Sequence, residues 1–284
     1  MLRLAVFAGM IQDTNQLVEF CHWLGVTDLC AAGTKPLANL DAYLKKFEIA
    51  GLKVSHFLWG SITAGDLTQK PSGEIMDAIQ RLGDAGIESL IIFIRATVQE
   101  DEGRRSEEHK RIADYYAALV KKAEQAGLKL GLHNNRPMGP RYPKSFFCDL
   151  EDITAFMEAI PSDYHTLCFC PGAYGLGGAD PAEVIRKLGD RISGVHARDA
   201  MVVPPKFLRQ ADEVWLNGKG EATVNAFLAE GLVDWPRVFD AVRESPYDGP
   251  ILMEHYPWIL GQPSTIGAAA NVGYIRGLLQ ARGM

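Results

Sequence analysis

The chain has 284 residues, of which 47% are hydrophobic, and its formal net charge is −6. This length and composition can bury a sizeable core. The acidic balance, without any lysine or arginine run, argues against nucleic acid as a partner. No apolar stretch reaches the roughly 18 residues that cross a bilayer, which argues against a membrane partner.

The N-terminus and the cysteines suggest where such a chain works. The apolar start MLRLAVFAGMI is followed by polar QDTNQ without a small-residue cleavage pattern, which predicts a first strand rather than a signal peptide. Five cysteines, an odd number with no framework spacing, are typical of a reducing compartment. We therefore expect a cytoplasmic protein, and homo-oligomerisation stays open.

Strand-like and helix-like segments alternate along the whole chain. The predicted strands are 2–9, 26–33, 51–60, 87–96, 127–135, 165–170, 191–199 and 249–255. The predicted helices are 14–24, 38–50, 73–85, 104–126, 149–159, 181–188, 234–244 and 268–281. Eight such pairs predict one α/β domain over residues 1–284, a (β/α)8 TIM barrel, with a doubly wound sheet as the fallback. The longest loop, 200–233, has the composition of a surface or lid segment.

Metal-competent side chains end the last four predicted strands. They are His133, Cys170, His196 and Glu254. Because side chains alternate along a strand, residues just before an inward-facing end must face the helices. Those residues are all large and apolar: Leu132, Phe169, Val195 and Met253. The residues two before each end are mostly small, as a barrel lumen requires: Gly131, Cys168, Gly194 and Leu252.

This alternation predicts a metal site at the carboxyl ends of the strands, where such barrels carry their chemistry. Each residue alone has a simpler interpretation: a structural histidine, a core cysteine or a surface glutamate. Together, two imidazoles, a thiolate and a carboxylate at one point would be costly to bury without a cation. A divalent ion removes that cost and leaves coordination positions for a substrate.

Four segments of the second half carry a resemblance to a known family. GLHNNRP, TLCFCPGAYG, GDRISGVHARDA and GYIRGLLQA together resemble the mannonate dehydratases of the xylose isomerase-like group of TIM barrels. The resemblance implies a metal, usually manganese, on His133, Cys170, His196 and Glu254, although the family has aspartate at the last position. Ligand softness alone favours zinc or iron over manganese. We expect a divalent metal, with Mn²⁺ first and Zn²⁺ or Fe²⁺ as alternatives.

Further residues near the strand ends are candidates for binding or catalysis. For substrate binding these are Arg198, Arg136, His56, Arg95 and Gly172. Arginine suits an anionic substrate because its fork matches a carboxylate, although Arg198 could simply pair with Asp199. Glycines after Cys170 could let backbone amides approach a substrate or could only form a flexible loop. The candidate acid and base residues are Tyr256, His255 and Asp199.

The predicted function is a metal-dependent lyase that dehydrates a sugar acid to a 2-keto-3-deoxy acid. The first alternative is a sugar or sugar-phosphate isomerase or epimerase on the same scaffold. That chemistry generally uses carboxylates where this chain has His133 and Cys170. A non-catalytic sugar-binding barrel is the second alternative. In each case the partner is a small sugar acid or sugar.

Overall fold

The computed structural model of the chain describes residues 2–95, 102–136, 146–207, 214–217, 219–255 and 264–284. Within these residues eight parallel strands close into a barrel, which confirms the predicted (β/α)8 fold. Around the barrel the first strand pairs with the second on one side and with the last on the other. None of the described helices combines the length and apolar character that crossing a bilayer requires.

The barrel strands follow the predicted order. They are β1 (Leu4–Phe7), β2 (Asp28–Ala32), β3 (Lys53–Thr63), β4 (Ser89–Arg95), β5 (Lys129–His133), β6 (His165–Phe169), β7 (Ile192–Ala197) and β11 (Ile251–Met253). A separate antiparallel sheet consists of β8 (Asp199–Val202), β10 (Ala222–Ala226) and β9 (Trp215–Leu216), in that spatial order. The predicted loop 200–233 therefore contains a three-stranded sheet in its described part.

The helices surround the barrel between successive strands. They are α1 (Thr14–Leu24), α2 (Thr34–Ala38), α3 (Leu40–Glu48), α4 (Gly73–Asp84), α5 (Glu102–Ala126), α6 (Leu150–Ala159), α7 (Pro171–Gly175), α8 (Pro181–Leu188), α9 (Trp235–Glu244) and α10 (Ser264–Ala281). The short helix α7 lies where the sequence predicts only a glycine-rich loop. Pro171 occupies its first turn, where a missing backbone N–H costs nothing.

Local capping explains where several helices begin. Asp13, Ser72, Asp149, Asp180 and Asp234 each accept a hydrogen bond from a backbone N–H of the first turn. Such a cap satisfies an amide that has no partner within the helix. These polar residues therefore set the starts of the helices that cover the barrel.

The two faces of the strands divide the core as their alternation predicts. The outward-facing residues Leu132, Phe169, Val195 and Met253 belong to the large apolar cluster between barrel and helices. A small inner cluster fills the lumen below the carboxyl ends, formed by Ala5, Cys30, Ile91, Cys168 and Leu252. The pairing of β6 with β7 shifts between Leu167 and Cys168, because Leu167 pairs with Ile192 and Cys168 with Gly194.

Helices α4 and α5 approach each other so closely that Gly83 is required. A Cβ atom at position 83 would lie 2.2 Å from the carbonyl oxygen of Ala126. We expect Gly83→Ala to lower the free energy of unfolding by about 1–3 kcal/mol, because the helices would have to separate. Denaturant unfolding of the purified protein measures this.

The matched control is Gly277→Ala in α10, where an added Cβ meets no atom within 4 Å. Here we expect a neutral effect or a gain of roughly 0.5–1 kcal/mol, from helix propensity and reduced freedom of the unfolded chain. Equal destabilisation by the two substitutions would contradict the close approach of α4 and α5.

Candidate metal centre and anion pocket

Four side chains at the carboxyl ends of neighbouring strands converge on one point. The donor atoms of His133, Cys170, His196 and Glu254 all lie within 4.8 Å of one another, and all four residues are buried. The Nδ1 atom of His196 lies 3.1 Å from both the Nε2 atom of His133 and the Oε2 atom of Glu254. The Cys170 Sγ atom is 3.7 Å from the same carboxylate oxygen.

The cysteine is fixed by its place at the start of α7 and by a neighbouring asparagine. Its thiol accepts a hydrogen bond from the Ala173 N–H at 3.4 Å, so that Cys170 caps the helix. Asn134 holds the backbone on both sides: its Oδ1 accepts from the Cys170 N–H at 2.6 Å, and its Nδ2 donates to the Cys170 carbonyl at 3.2 Å. The residue after His133 therefore positions the donor on the next strand.

The two histidines are oriented by contacts on the side away from the cluster. His133 Nδ1 lies 2.6 Å from the carbonyl oxygen of Asn134, which directs Nε2 toward the other donors. His196 Nε2 lies 3.3 Å from the Sγ atom of Cys168, which directs Nδ1 toward Glu254. Outer contacts of this kind fix the tautomer and ring orientation of metal-binding histidines.

The pKa values of three groups in the cluster are shifted by burial and by their neighbours. Burial lowers the pKa of His133 to about 4, so this imidazole is neutral at pH 7. Burial raises the pKa of the Cys170 thiol to about 12, and the nearby Glu254 adds to that rise. Burial would also raise the pKa of Glu254, but the imidazoles of His196 and His133 hold it well below its usual range. One buried carboxylate thus lies beside two imidazoles and a thiol.

The donor set fits a divalent transition metal. Ligand bonds of about 2.0–2.3 Å place tetrahedral donors roughly 3.3–3.8 Å apart, close to the observed separations. Imidazole, thiolate and carboxylate together suit zinc, iron or manganese, and exclude ions such as Ca²⁺ that require oxygen ligands only. The group could therefore hold one such ion after small side-chain movements.

Arg198 lies beside this group with its hydrogen-bonding capacity partly unused. It is 6% exposed, and its Nε and Nη2 atoms are buried without a hydrogen-bond partner among the described residues. Its positive charge lowers the pKa of Cys170, which indicates that the two side chains are close. Because a buried N–H without a partner is costly, these two atoms point to a missing acceptor.

Asp199 serves the inserted sheet, and its contacts do not support the expected acid or base role. Its carboxylate accepts hydrogen bonds from the backbone N–H groups of Ala200, Leu232 and Val233 and from Nε1 of Trp235, at 2.8–3.2 Å. Both oxygens are used, and the alternative interpretation, a pairing of Asp199 with Arg198, is absent among the described contacts. Burial raises the pKa of Asp199 to about 7. The side chain ties the start of the insert to its end.

His56 and Gly172 also have structural contacts in place of the expected substrate contacts. His56 is fully buried, with Nδ1 3.0 Å from Ser55 Oγ and Nε2 2.9 Å from the Ser193 carbonyl. The strand β3 continues to Thr63, beyond the predicted end at residue 60, so His56 lies deep in the barrel. A Cβ at Gly172 would lie 2.3 Å from the Arg198 carbonyl, so glycine there permits close packing of α7.

The remaining candidates surround the mouth of the barrel. Arg95 is exposed at the end of β4, and Arg136 lies half-buried after β5 with its guanidinium carbon 5.1 Å from the centre of the Trp215 ring. His255 has a φ of 49°, which turns the chain after β11 and brings its Nε2 to 3.7 Å from Glu254 Oε1. Strand alternation alone would have turned this ring away from the lumen. Tyr256 lies outside the described residues.

Three residues of the site were not predicted from the sequence. Asn134 and Cys168 hold Cys170 and His196 from outside the donor group. Trp215, on β9, has the Arg198 guanidinium carbon 4.2 Å from its ring centre. Because Asn134 directly follows His133, the sequence could have indicated its contact with Cys170. No local sequence pattern indicates that Trp215 contacts Arg198.

Comparison with known proteins agrees with the fold. The chain is 26% identical over 238 residues to an inosose dehydratase of Glaesserella parasuis, an alignment that covers 79% of this chain and 76% of the relative. It is 25% identical over 245 residues to a mannonate dehydratase of Saccharophagus degradans, covering 78% of this chain but 55% of the longer relative.

A solved structure and a family match extend this result. The mannonate dehydratase of Streptococcus suis superposes with a TM-score of 0.77 at 16% identity, over 100% of this chain and 96% of the other. At that identity the likeness shows the fold alone. Residues 31–274, which make up most of the chain, match the family described as xylose isomerase-like TIM barrel. The chain belongs to the xylose isomerase-like TIM barrel family.

Proposed function

We propose that the protein is a metal-dependent hydro-lyase that dehydrates a sugar acid to a 2-keto-3-deoxy acid. The observation that carries the proposal is the buried edge of Arg198 beside the four-donor group. Within the part of the chain that the structure describes, its Nε and Nη2 atoms have no hydrogen-bond partner. These two atoms share one edge of the guanidinium plane, and that edge matches the two oxygens of a carboxylate. A neutral sugar offers no group that satisfies it equally well.

In this proposal His133, Cys170, His196 and Glu254 hold one divalent metal, for which Mn²⁺ is our first expectation and Zn²⁺ or Fe²⁺ the alternatives. Bound there, the ion would act as a Lewis acid next to an α-hydroxy carboxylate and make its α-proton easier to remove. The neutral His133 and the anionic Glu254 have the protonation states that ligation requires.

The protein's own groups would perform the remaining work. Arg198 orients the carboxylate and balances its charge in a pocket that excludes water. The α-carbon loses a proton, the electron pair left behind forms a carbon–carbon double bond, and the β-hydroxyl leaves with a proton as water. The resulting enol becomes the 2-keto-3-deoxy acid by moving one proton. His255 is our candidate for proton transfer, because its imidazole is half-buried beside Glu254.

The dehydratase names of the sequence relatives support the lyase reaction over the isomerase alternative. Inosose, however, is a ketone without a carboxylate, so these relatives leave the substrate class open. The Arg198 edge is the reason that we place a sugar acid first.

Product analysis tests the proposed reaction. With Mn²⁺ and a panel of hexonates and pentonates, we expect at least one 2-keto-3-deoxy acid, detected by mass spectrometry as the loss of one water. Aldoses and ketoses should remain unchanged. Epimerised ketoses without action on any acid would establish the isomerase alternative. Dehydration of an inosose alone would establish a neutral substrate, and binding without turnover would establish a non-catalytic barrel.

Substitution of the two cysteines distinguishes the proposed metal ligand, Cys170, from Cys168, which contacts His196. We expect Cys170→Ala to remove most metal affinity and turnover, because it deletes one of four donors. Cys168→Ala should cost less, about tenfold in metal affinity, since it removes only a contact to His196. Metal titration by calorimetry measures both, and affinity should fall on acidification because the ligands must be deprotonated. A larger loss from Cys168→Ala would contradict the assignment of the donors.

Replacing Arg198 tests the carboxylate contact. We expect Arg198→Lys to raise the KM for the sugar acid about tenfold or more, because lysine keeps the charge but cannot form the two parallel hydrogen bonds. Arg186→Lys is the matched control, since Arg186 is 41% exposed and pairs with Glu244 on the surface. An unchanged KM in both variants would place the substrate carboxylate elsewhere.

A further inference from the structure

The inserted sheet places Trp215 against Arg198. Trp215 is 7% exposed, and the Arg198 guanidinium carbon lies over its ring, 4.2 Å from the centre. On another side His255 meets the indole edge-to-face, with ring centres 5.8 Å apart. The guanidinium carbon of Arg136 also lies over the ring, at 5.1 Å from its centre. Trp215 therefore contacts three residues at the mouth of the barrel, although it comes from a strand outside the barrel.

This stack determines which part of Arg198 a ligand can reach. A guanidinium bound over an aromatic face is attracted by the ring quadrupole and loses access on that face. The Nε and Nη2 atoms, which are buried and have no hydrogen-bond partner among the described residues, lie on one edge of the plane and not on its stacked face. An acceptor must then approach within the guanidinium plane, and a planar carboxylate satisfies both N–H groups at once.

The backbone around Trp215 holds the indole in place. Strand β9 pairs with β10, where Trp215 lies opposite Thr223, and the Thr223 hydroxyl donates to the Trp215 carbonyl at 3.1 Å. The opposite edge of β10 pairs with β8, which begins at Asp199. Through its bonds to Leu232 and Val233, Asp199 fixes both ends of the insert. A single connected sheet thus links the position of the indole to Asp199, the residue that follows Arg198 in the chain.

We propose that Trp215 is a specificity-determining residue, which orients the Arg198 guanidinium so that the site selects a carboxylate over a neutral hydroxyl group. The proposal rests on the proposed function for its choice of substrate. It nevertheless concerns a binding preference that exists whether or not the enzyme dehydrates the ligand. Trp215 acts through Arg198 and is a positioning residue in this sense.

The test compares two small probes, one with a carboxylate and one with a neutral hydroxymethyl group in its place. Glycolate carries a carboxylate next to a hydroxyl, and ethylene glycol is its neutral counterpart; neither depends on sugar stereochemistry. Binding of both to the metal-loaded full-length protein is measured by calorimetry. The variants are Trp215→Leu, which removes the aromatic face, and Trp215→Phe, which retains one. Trp23→Leu is the control, because Trp23 is 79% exposed.

We expect Trp215→Leu to weaken glycolate binding about tenfold and Trp215→Phe to weaken it less than about threefold, the range of one cation–π contact. Ethylene glycol binding and metal affinity should stay within about twofold of the wild type, and Trp23→Leu should behave as the wild type. Glycolate binding that survives Trp215→Leu would overturn the proposal. So would a parallel loss of metal affinity, which would indicate damage to the whole centre.

The outcomes also separate this inference from the proposed function. Wild-type protein that binds glycolate through Trp215 but dehydrates no sugar acid would refute the proposed reaction and leave the inference standing. Wild-type protein that dehydrates a sugar acid but shows no preference for glycolate over ethylene glycol would refute the inference alone. A preference for inorganic phosphate over glycolate would also overturn the choice of a carboxylate.

Discussion

The burial of the Glu254 carboxylate is the constraint on which the site depends. A single anion enclosed by the barrel, with 7% of its surface exposed, is costly unless nearby groups compensate for its charge. The imidazoles of His133 and His196 provide part of that compensation. Cys170 adds a soft donor, which becomes a second anion only when a cation is present. The same four groups thus form a cluster that could hold a metal ion.

The geometry of this group is maintained by residues one step further out. Asn134 holds the backbone of Cys170, and Cys168 contacts the far nitrogen of His196. Each support comes from a strand that also supplies a donor, so the barrel register positions donors and supports together. A carboxylate is the commoner partner for such a histidine. The neutral thiol of Cys168, whose pKa burial raises well above its usual value, adds no further negative charge beside Glu254.

The insert between β7 and α9 adds a second layer to the site. Two adjacent residues have different contacts: Arg198 lies over the Trp215 ring and lowers the pKa of Cys170, while Asp199 fixes the insert that carries Trp215. Gly231 permits this arrangement, because a Cβ there would lie 2.0 Å from the Asp199 carboxyl group. The insert therefore contributes Trp215 to the surroundings of Arg198. Differences in such inserts can change the substrate while the barrel stays constant.

The sequence by itself determined the barrel and predicted the four side chains that converge at its carboxyl end. Alternating segments fix the order of strands and helices, and the period of two along each strand decides which side chains face inward. These signals are local, and closure of the barrel then brings successive strand ends together. Only the tertiary structure decided the length of β3. Because this strand ends at Thr63, His56 lies inside the barrel and not at its mouth. The tertiary structure also decided the turn at His255, the bonding of Asp199 and the contact of Trp215 with Arg198. Those features depend on contacts between segments far apart in the chain, for which no periodicity or motif exists in the sequence.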